Sequence, residues 1–495
     1  MIISHDLGTT GNKATLVDRE GRVVSAVTVA YGTDFGRGGK AEQNPMDWWA
    51  ALCKATRALL EKAGTAADDI DAISFSGQMM GVVPLDKHGE PLRPAIIWAD
   101  TRSTAESDFL VDRIGMDVGY RITGHRLNPT YSLSKIMWLR ANEQDNFARI
   151  ATVLQAKDYM VYRLTGIQVT DPSDASSTNA YDQSSGTWSD QLLDVAGLDR
   201  SLFPEIVPST TVVGTVTADA AAETGLKVGT PVVLGGGDGP MAALGAGITG
   251  EQSGAYTYLG SSSWVSIAAD APLHDPQMRS MTFNHVIPGK FVPTATMQAG
   301  GASLQWIVEV LAPGLTTGYD QLLEEAASVE ASEEGLYFLP HLLGERSPYW
   351  NPRARAAFVG LARHHGRSHM TRAVLEGIAF NLYSGLRAFS DNGRPITAID
   401  AIGGAAKADT LLDIFANVWG AVVTRRDLVE EATALGAAIV GGVAVGIFDD
   451  FEVAGRLSVK TYTSDFDPSV HERYGREYEL FSDAYCRLEP WFEKL

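Results

Sequence analysis

Asp238 is the only charged residue in a run of small and apolar residues. Residues 230 to 247 read TPVVLGGGDGPMAALGAG, which contains six glycines. A carboxylate in such a setting can be a catalytic base, a metal ligand or a turn residue, and the flanking glycines leave it open to an approaching substrate. The rest of the chain has to decide among these three alternatives.

Small-residue turns recur along the whole chain. The four clearest read DLGTTGNK, LGSSS, AGGASLQW and IGGAAK. Glycine removes the side chain that would keep a ligand away, so backbone amides and hydroxyls in such turns can approach phosphate oxygens. Together with the isolated carboxylate of Asp238, these turns suggest phosphoryl transfer, in which positioning and charge stabilisation do most of the catalytic work.

Other motifs are weaker. GDGPMA, at residues 237 to 242, matches the dinucleotide-binding pattern GxGxxA but is not followed by a compact βαβ unit with an acidic residue, so this reading is disfavoured. The chain has no GxxxxGK[ST] motif, which excludes a P-loop. His365 and His369, beside Arg363 and Arg367, are interpreted as a solvated face in preference to a metal site.

The length and net charge of the chain limit the classes of function that it can have. The chain has 495 residues, which favours two domains, and a net charge of −20. Such an acidic chain is not expected to bind nucleic acid or an acidic membrane surface. An anionic ligand must therefore be bound by local groups that offset its charge, such as backbone amides, helix N-termini, single basic residues or a divalent cation.

The compartment expected from the sequence is the cytoplasm. Cys53 and Cys486 are far apart and form no metal-binding spacing, and the start MIISHDLGTT lacks the pattern of a signal peptide. The run ATALGAAIVGGVAVGIF is rich in glycine and alanine, and we expect a buried helix there instead of a membrane span.

The elements that must position these residues are those of an α/β protein. The first 31 residues predict three strands in a meander, and EQNPMDWWAALCKATRALLEKAG predicts a helix that begins near Pro45 and ends at Gly64. Two short buried strands follow, at IDAISFSG and PAIIWAD. Helical and strand-like segments then alternate to about residue 245, as expected of α/β layers.

The two halves of the chain share a pattern. HDLGTTGNKATLVD near the start and TYLGSSSWVSIAAD near the middle each read as a strand, Leu-Gly, hydroxyl residues and a second strand. This similarity indicates an internal duplication, with two related domains that each present a hairpin to a shared cleft.

Taken together, these motifs resemble those of the FGGY family of carbohydrate kinases, and within it most closely those of the xylulokinases. The resemblance covers nearly the whole chain, in family order: DLGTTGNK, EQNPMDWW, SGQMMG, IIWADTR, KDYMVYRLTG, VVLGGGDG, LGSSS, FLPHLLGERSPYWNP, AVLEGIAFNL, IGGAAK and ATALGAA. It implies two ribonuclease H-like (actin-like ATPase) domains around a central cleft. We expect these domains to span residues 1–248 and 249–495.

The resemblance also implies roles for individual residues in binding ATP and Mg²⁺. Asp6 would hold the Mg²⁺ ion, and Thr9, Thr10 and Lys13 would face the ATP phosphates. Gly260 and Ser261 would close on the phosphates from the second domain. The rest of the nucleotide pocket would be lined by Gly301, Gln305, Gly403 and Gly404.

Asp238 corresponds to the family's catalytic base, which accepts the proton of the sugar hydroxyl as that oxygen attacks the γ-phosphorus. Gln78, Met79 and Met80 would contact the sugar, and the implied reaction is the conversion of D-xylulose to D-xylulose 5-phosphate. Glu345 and Arg346, in GERSPYW, are expected to form a structural ion pair in the second domain.

The sequence departs from the xylulokinase pattern at three places in the cleft. Met80 stands where those enzymes carry a histidine, Gly239 replaces an asparagine after the catalytic aspartate, and LGSSSW replaces LGTSG. An unpaired buried hydroxyl costs about 1–3 kcal/mol, enough to redirect sugar recognition. Another ketopentose, a deoxy-ketose or a polyol of the ribulose, erythritol or glycerol type therefore remains an alternative substrate.

A different class of function also stays open at this point. An actin-like ATP-binding module could switch conformation without phosphorylating a metabolite, although SGQMMG and IIWADTR favour a sugar cleft. A homodimer is a further expectation that rests on the family alone.

Overall fold

The computed structural model describes residues 1–313, 318–427 and 431–495. The first half of this part contains strands β1 to β16 and helices α1 to α10. The strands are β1 (Ile2–Leu7), β2 (Gly11–Val17), β3 (Val23–Ala30), β4 (Asp34–Phe35), β5 (Ala41–Gln43), β6 (Ala72–Gly77), β7 (Val83–Leu85), β8 (Ala95–Ile96), β9 (Thr152–Leu154), β10 (Val169–Thr170), β11 (Tyr181–Asp182), β12 (Thr187–Trp188), β13 (Glu205–Ile206), β14 (Val212–Thr215), β15 (Pro231–Val233) and β16 (Gly236–Gly237). The helices are α1 (Pro45–Ala63), α2 (Thr104–Ile114), α3 (Met116–Thr123), α4 (Ser132–Asn142), α5 (Gln144–Phe147), α6 (Ala156–Thr165), α7 (Pro172–Ser176), α8 (Asp190–Ala196), α9 (Ala218–Thr224) and α10 (Asp238–Gly245).

The second half is built in the same manner. Its strands are β17 (Ala255–Leu259), β18 (Ser263–Ile267), β19 (Met281–Asn284), β20 (Phe291–Met297), β21 (Tyr337–Leu339), β22 (Ala357–Val359), β23 (Ala398–Ile402), β24 (Val422–Arg426) and β25 (Lys460–Ser464). Its helices are α11 (Gly300–Leu311), α12 (Gly318–Ala327), α13 (Arg367–Asp391), α14 (Asp409–Trp419), α15 (Ala432–Ala444) and α16 (Pro468–Phe492).

The two main sheets share a core arrangement of six strands, to which β16 adds a short pairing in the first sheet and β19 an edge strand in the second. In the first, β1, β2 and β3 form an antiparallel meander, β6 and β15 extend it in parallel from β1, and β14 closes it antiparallel. In the second, β17, β18 and β20 form the meander, β23 and β24 extend it in parallel, and β25 closes it antiparallel. This repeat confirms the predicted duplication and the predicted fold of two ribonuclease H-like domains.

The N-terminal helix α1 shows how local sequence sets an element. Pro45 occupies its first turn, and the side chain of Asn44 accepts a hydrogen bond from Met46 N. Gly64 ends the helix in the left-handed conformation, with φ of 62°. One face of the helix, including Trp48 and Leu52, is buried against the first sheet. The predicted helix is confirmed at both ends.

A layer formed by α2 to α8 and the short strands between them joins the two domains at the back. Tyr120 donates from its hydroxyl to the Ser280 carbonyl at 2.8 Å, and Thr282 N donates to the Gly124 carbonyl at 2.9 Å. Gln183 donates from its side-chain amide to the carbonyl of Thr282. These contacts fasten β19 of the second domain to the first domain.

Helices α10 and α15 pass each other at unusually close range. A Cβ atom placed on Gly436 would lie 2.1 Å from the carbonyl oxygen of Met241, and one on Gly245 would lie 1.8 Å from that of Ala432. Only glycine permits this approach. The apolar run predicted as a buried helix is α15, and no helix in the described ranges is long and apolar enough to cross a membrane.

The segment between α10 and β17 connects the two sheets. The boundary expected between residues 248 and 249 falls in this segment, and we keep it as a proposal.

Candidate active site

Asp238 lies at the junction of β16 and α10, where the chain turns from the first sheet into the cleft. The junction is held by Gly237 N, which donates to Ser173 Oγ at 2.9 Å. Burial, and next the negative charge of Asp6, raise the pKa of Asp238 to about 7. A carboxylate with this pKa is suited to accept a proton near neutral pH.

A cavity of about 150 Å³ opens beside Asp238, between the two domains. Its wall is mainly apolar and includes Met79, Met80, Trp98 and Trp264. Polar side chains reach it at a few points only, a pattern typical of small-molecule sites. Of the predicted sugar contacts, the structure therefore brings Met79, Met80 and Asp238 together on one wall.

Gln78 does not line this cavity. Its side-chain amide donates to Gln43 Oε1 at 2.8 Å, and Gln43 Nε2 in turn donates to the Thr9 carbonyl at 2.6 Å. The buried Gln78 side chain thus supports the first phosphate turn through Gln43. Gln43 lies in the EQNP segment, and its contact could not be foreseen from spacing.

The loop that carries Met80 is held from behind by a buried lysine. Met80 has a φ of 64°, which is unusual for a residue other than glycine. The ammonium of Lys135 donates to the carbonyls of Met80 at 2.9 Å and Ile97 at 2.8 Å, and also to that of Thr130. One cation therefore fixes three segments beside the cavity, although burial lowers the pKa of Lys135 to about 7.

The end of β1 places Asp6 next to α15. Its carboxylate accepts hydrogen bonds from Ser76 Oγ at 2.9 Å and from Thr433 Oγ1 at 2.7 Å. Burial raises the pKa of Asp6. Lys13 faces Asp6 across the β1–β2 ladder, and its Nζ lies 3.2 Å from Glu431 Oε1. A carboxylate beside Asp238 in this setting fits a hard divalent cation, which prefers oxygen ligands.

The turn between β1 and β2 presents Thr9 and Thr10. Thr10 is exposed, whereas Thr9 is partly buried and its Oγ1 accepts a hydrogen bond from Trp98 Nε1 at 2.9 Å. The indole of Trp98 thus links the sugar cavity to this turn.

A second pocket, of about 380 Å³, lies on the C-terminal domain. Among the predicted nucleotide residues, its lining contains Gly260, Ser261, Gly301, Gln305 and Gly404. A Cβ on Gly301 would lie 2.4 Å from the carbonyl oxygen of Gly260, so the hairpin and α11 can meet only at a glycine.

Gly403 adjoins this second pocket. Its φ of 93° suits glycine, and a Cβ there would lie 2.8 Å from the backbone of Leu259. It shapes the turn next to the pocket and is not part of the lining.

The two pockets lie on either side of one hairpin. Gly260 and Ser261 line the larger pocket, whereas the next two residues, Ser262 and Ser263, line the cavity that contains Asp238. A nucleotide in the larger pocket would therefore have only this turn between it and the smaller cavity. The arrangement fits phosphoryl transfer across the cleft.

The predicted ion pair between Glu345 and Arg346 is wrong. Glu345 Oε1 accepts hydrogen bonds from the backbone N–H groups of Gln298 and Arg346, both at 2.9 Å, and Oε2 accepts one from Asn381 Nδ2 at 2.9 Å. Arg346 instead points into the sugar cavity, with its guanidinium 5.2 Å from the Trp98 ring centroid. The two neighbouring side chains thus contact different surroundings, so adjacency in the sequence misled the prediction.

Sequence reasoning also missed several other cavity residues. Trp98 is in the IIWADTR motif, but Trp264, Gln298 and Arg346 come from three separate segments of the second domain. Trp98 could have been noted as an aromatic residue at the end of a buried strand. Trp264 ends the LGSSSW segment already placed in the cleft, and Arg346 is in the GERSPYW motif but is predicted to have another role. No local pattern singles out Gln298.

The predicted solvated face at His365 and His369 lies away from the cleft residues, beside Glu334. His365 Nδ1 accepts the N–H of Ala362, and His369 Nδ1 accepts the N–H of Gly366. His369 Nε2 lies 3.5 Å from the Glu334 carboxylate. One ligand atom each of Glu334, His364 and His365 lie within 4.8 Å of one another, which is a spacing that could hold a cation, so the solvated face stays a prediction.

The duplicated fold, the two adjoining pockets and the buried carboxylate define a kinase of small carbohydrates. The chain belongs to the FGGY family of carbohydrate kinases: the N-terminal domain model of that family matches residues 1–245, and the C-terminal domain model matches residues 255–445.

Individual relatives agree with this assignment. The chain is 31% identical to a xylulose kinase of Lactococcus lactis over 487 residues, which cover 98% of this chain and 96% of the relative. Two solved structures from Lactobacillus acidophilus, of a gluconate kinase and of a ligand-bound xylulose kinase, each superpose with a TM-score of 0.94 at 27% identity, covering 100% of this chain and 99% of theirs. The family supports ATP-dependent sugar kinase activity and leaves the sugar open.

Proposed function

We propose that the protein transfers the γ-phosphoryl group of ATP to a terminal hydroxyl of a sugar, and that D-xylulose, giving D-xylulose 5-phosphate, is the first substrate to test. The observation that carries the proposal is the position of Asp238: a carboxylate of raised pKa in a sugar-sized cavity, separated by one hairpin from a nucleotide-sized pocket.

In this proposal Asp238 accepts the proton of the sugar hydroxyl while that oxygen attacks the γ-phosphorus. A positioned base of this kind contributes about 10²- to 10⁴-fold to the rate. Thr9, Thr10, Lys13 and the Gly260–Ser261 turn would bind the phosphates from both sides. Asp6 would hold a Mg²⁺ ion, whose charge would offset that of the phosphates.

The identity of the sugar is less narrowly defined than the reaction. D-Xylulose is favoured by the relatives named xylulose kinase, whereas Met80 removes a hydrogen-bonding side chain from the cavity wall. A ketopentose with another configuration, a deoxy-ketose or a polyol is the alternative. We also propose that the enzyme acts in the cytoplasm, where ATP is available.

A coupled ADP-release assay over ketopentoses, deoxy-ketoses, tetritols, glycerol and gluconate tests the proposal. At least one sugar should raise ADP release well above the sugar-free rate. Asp238→Asn should abolish that increase and leave ATP binding, measured by calorimetry, largely intact. If no sugar stimulates ADP release, or if the variant retains turnover, the proposed function or the proposed base is refuted.

A further inference from the structure

Arg346 brings a positive charge into the sugar cavity. Its side chain lines the cavity and stacks over the indole of Trp98, from the opposite domain. Within the described ranges, the guanidinium has no hydrogen-bond acceptor and no ion-pair partner, and burial lowers the pKa of Arg346. Arg346 is partly buried and its side chain faces the cavity, so its N–H donors are available to a ligand bound there.

The neighbouring carboxylate of Glu345 acts on the guanidinium of Arg346 through its charge and accepts its hydrogen bonds from other groups. Glu345 accepts from the backbone N–H groups of Gln298 and Arg346 and from the side chain of Asn381. Its contacts hold the two cavity residues in place and leave the guanidinium free to face inward.

Asp238 and Arg346 occupy different parts of the same cavity. They form no ion pair with each other, and the charge that acts on Asp238 is that of Asp6, at the phosphate side. The charged and polar groups that act on Arg346 are Tyr131 and Glu345, and Arg346 in turn acts on Lys135, behind the Met80 loop. A sugar bound in this cavity therefore has both a proton acceptor, Asp238, and the N–H donors of Arg346 within its walls.

The chemistry of the two ends sets the class of substrate. A guanidinium offers only N–H donors, arranged in a planar fork that matches a carbonyl or carboxylate oxygen. A hydroxyl could accept from the fork, but its own hydrogen would then need another acceptor. We propose that Arg346 binds an sp² oxygen, a ketone or carboxylate, at the end of the sugar remote from the hydroxyl that Asp238 deprotonates.

The chemistry of ketopentoses supports this assignment. When such a sugar closes into a furanose, its terminal hydroxyl oxygen enters the ring and cannot be phosphorylated. Transfer to the terminal hydroxyl therefore requires the open chain, in which the carbonyl is free. An aldonate satisfies the same rule, since its carboxylate and its terminal hydroxyl lie at opposite ends of an open chain.

This inference rests on the proposed kinase function, and the experiment separates the two. Turnover is measured for pairs that differ only in the oxidised group, D-xylulose with xylitol and gluconate with sorbitol. The wild-type enzyme should favour the oxidised member of the pair that contains its best substrate. Arg346→Met should lower kcat/KM for that member about 10- to 100-fold, as expected for a lost charged hydrogen bond, and change the reduced member less than about threefold.

Arg126→Met is the matched control. Arg126 also stacks on a tryptophan of the other domain, Trp350, at 5.4 Å, but it does not line the cavity. It should leave the preference for the oxidised sugar unchanged. Arg346→Lys, which keeps the charge and loses the fork, should fall between the wild type and Arg346→Met.

The outcomes are distinct. A polyol as the best substrate, or an equal loss for both members of a pair in Arg346→Met, overturns the assignment while kinase activity stands. A greater loss for gluconate identifies a carboxylate as the bound group, and a greater loss for D-xylulose identifies a ketone. Absence of any sugar-stimulated turnover in the wild type refutes the proposed function itself. If Arg346→Met unfolds, Arg346→Lys and protection of the wild type from heat by each sugar decide the question.

Discussion

The surroundings of Asp238 disfavour the ionised form of its carboxyl group. Its pKa in the folded protein, about 7, is above the ordinary value of an aspartate because of burial and the charge of Asp6. Between the ordinary value and 7, the folded protein binds a proton that the unfolded chain has released. The stability contributed by this raised pKa is complete in acid and is lost as pH rises through 7.

Asp238→Asn should therefore raise the unfolding temperature at pH 8, where it removes the desolvated charge. The gain should be smaller at pH 5, where the carboxyl is protonated in the folded protein but ionised in the unfolded chain, and should vanish only below the ordinary pKa of an aspartate. Thermal unfolding of both proteins at the two pH values measures this. A variant that is less stable than the wild type at pH 8 would contradict the raised pKa.

The same titration should govern the rate. Proton transfer to Asp238 requires the carboxylate, so kcat/KM for the sugar should rise with pH to a plateau. Since Mg²⁺ held by Asp6 would offset the charge that raises the pKa of Asp238, the midpoint should lie below about 7. The profile of kcat/KM against pH, measured at saturating ATP and Mg²⁺, tests this. A flat profile between pH 5 and 8 would argue against Asp238 as the base.

Met80 is the residue at which the choice of sugar can be changed. Met80→His restores a hydrogen-bonding group to the cavity wall, and histidine tolerates the left-handed backbone found there. We expect kcat/KM for D-xylulose to rise about 5- to 100-fold relative to the other sugars, in line with one buried hydrogen bond. An unchanged substrate profile would show that position 80 does not select the sugar.

At the scale of elements, the crossing of α10 and α15 aligns the reacting groups. Helix α10 begins with Asp238, and the first turn of α15 holds Thr433 against Asp6. The two helices can lie this close because Gly436 faces the backbone of Met241. The general base and the carboxylate proposed for Mg²⁺ are thus set by a single helix contact.

Gly436→Ala should separate these helices, because its Cβ would lie 2.1 Å from the carbonyl oxygen of Met241. Overpacking of this kind costs about 1–3 kcal/mol. We expect a lower unfolding temperature and a fall in kcat. Gly475→Ala, in α16, is the control, because nothing lies within 4 Å of the added methyl group. The control should be neutral or slightly stabilising, and equal effects of the two substitutions would refute this role for the crossing.

At the scale of the whole molecule, the cleft is joined at the back and lined in front by both domains. The contacts of Tyr120 with Ser280 and of Gln183 with β19 fasten the domains together, whereas Arg346 and Trp98 meet across the cavity. Closure around both ligands would exclude water and suppress hydrolysis of ATP without sugar.

We expect a sugar and a non-hydrolysable ATP analogue together to reduce the radius of gyration in small-angle X-ray scattering more than either does alone. Asp238→Asn should close in the same way, since it keeps both pockets. A radius that is insensitive to ligands would contradict domain closure. The homodimer expected from the family stays a prediction for sedimentation velocity.

The sequence by itself determined the features that depend on near neighbours in the chain. The ends of α1 follow from Asn44, Pro45 and Gly64. The duplicated hairpins and the isolated Asp238 can be recognised from the sequence alone. These signals are local because caps and turns are satisfied within a few residues.

Only the tertiary structure decided which residues share the cavity. In the structure Gln78 lies outside the sugar cavity and Arg346 lines it. Glu345 accepts hydrogen bonds from backbone N–H groups, including that of Arg346. The tertiary structure also gave Asp238 its raised pKa, through burial and the charge of Asp6 from another strand. The pKa of a buried group and the lining of a cavity depend on residues that are distant in the sequence and close in the fold. No pattern along the chain could therefore predict them.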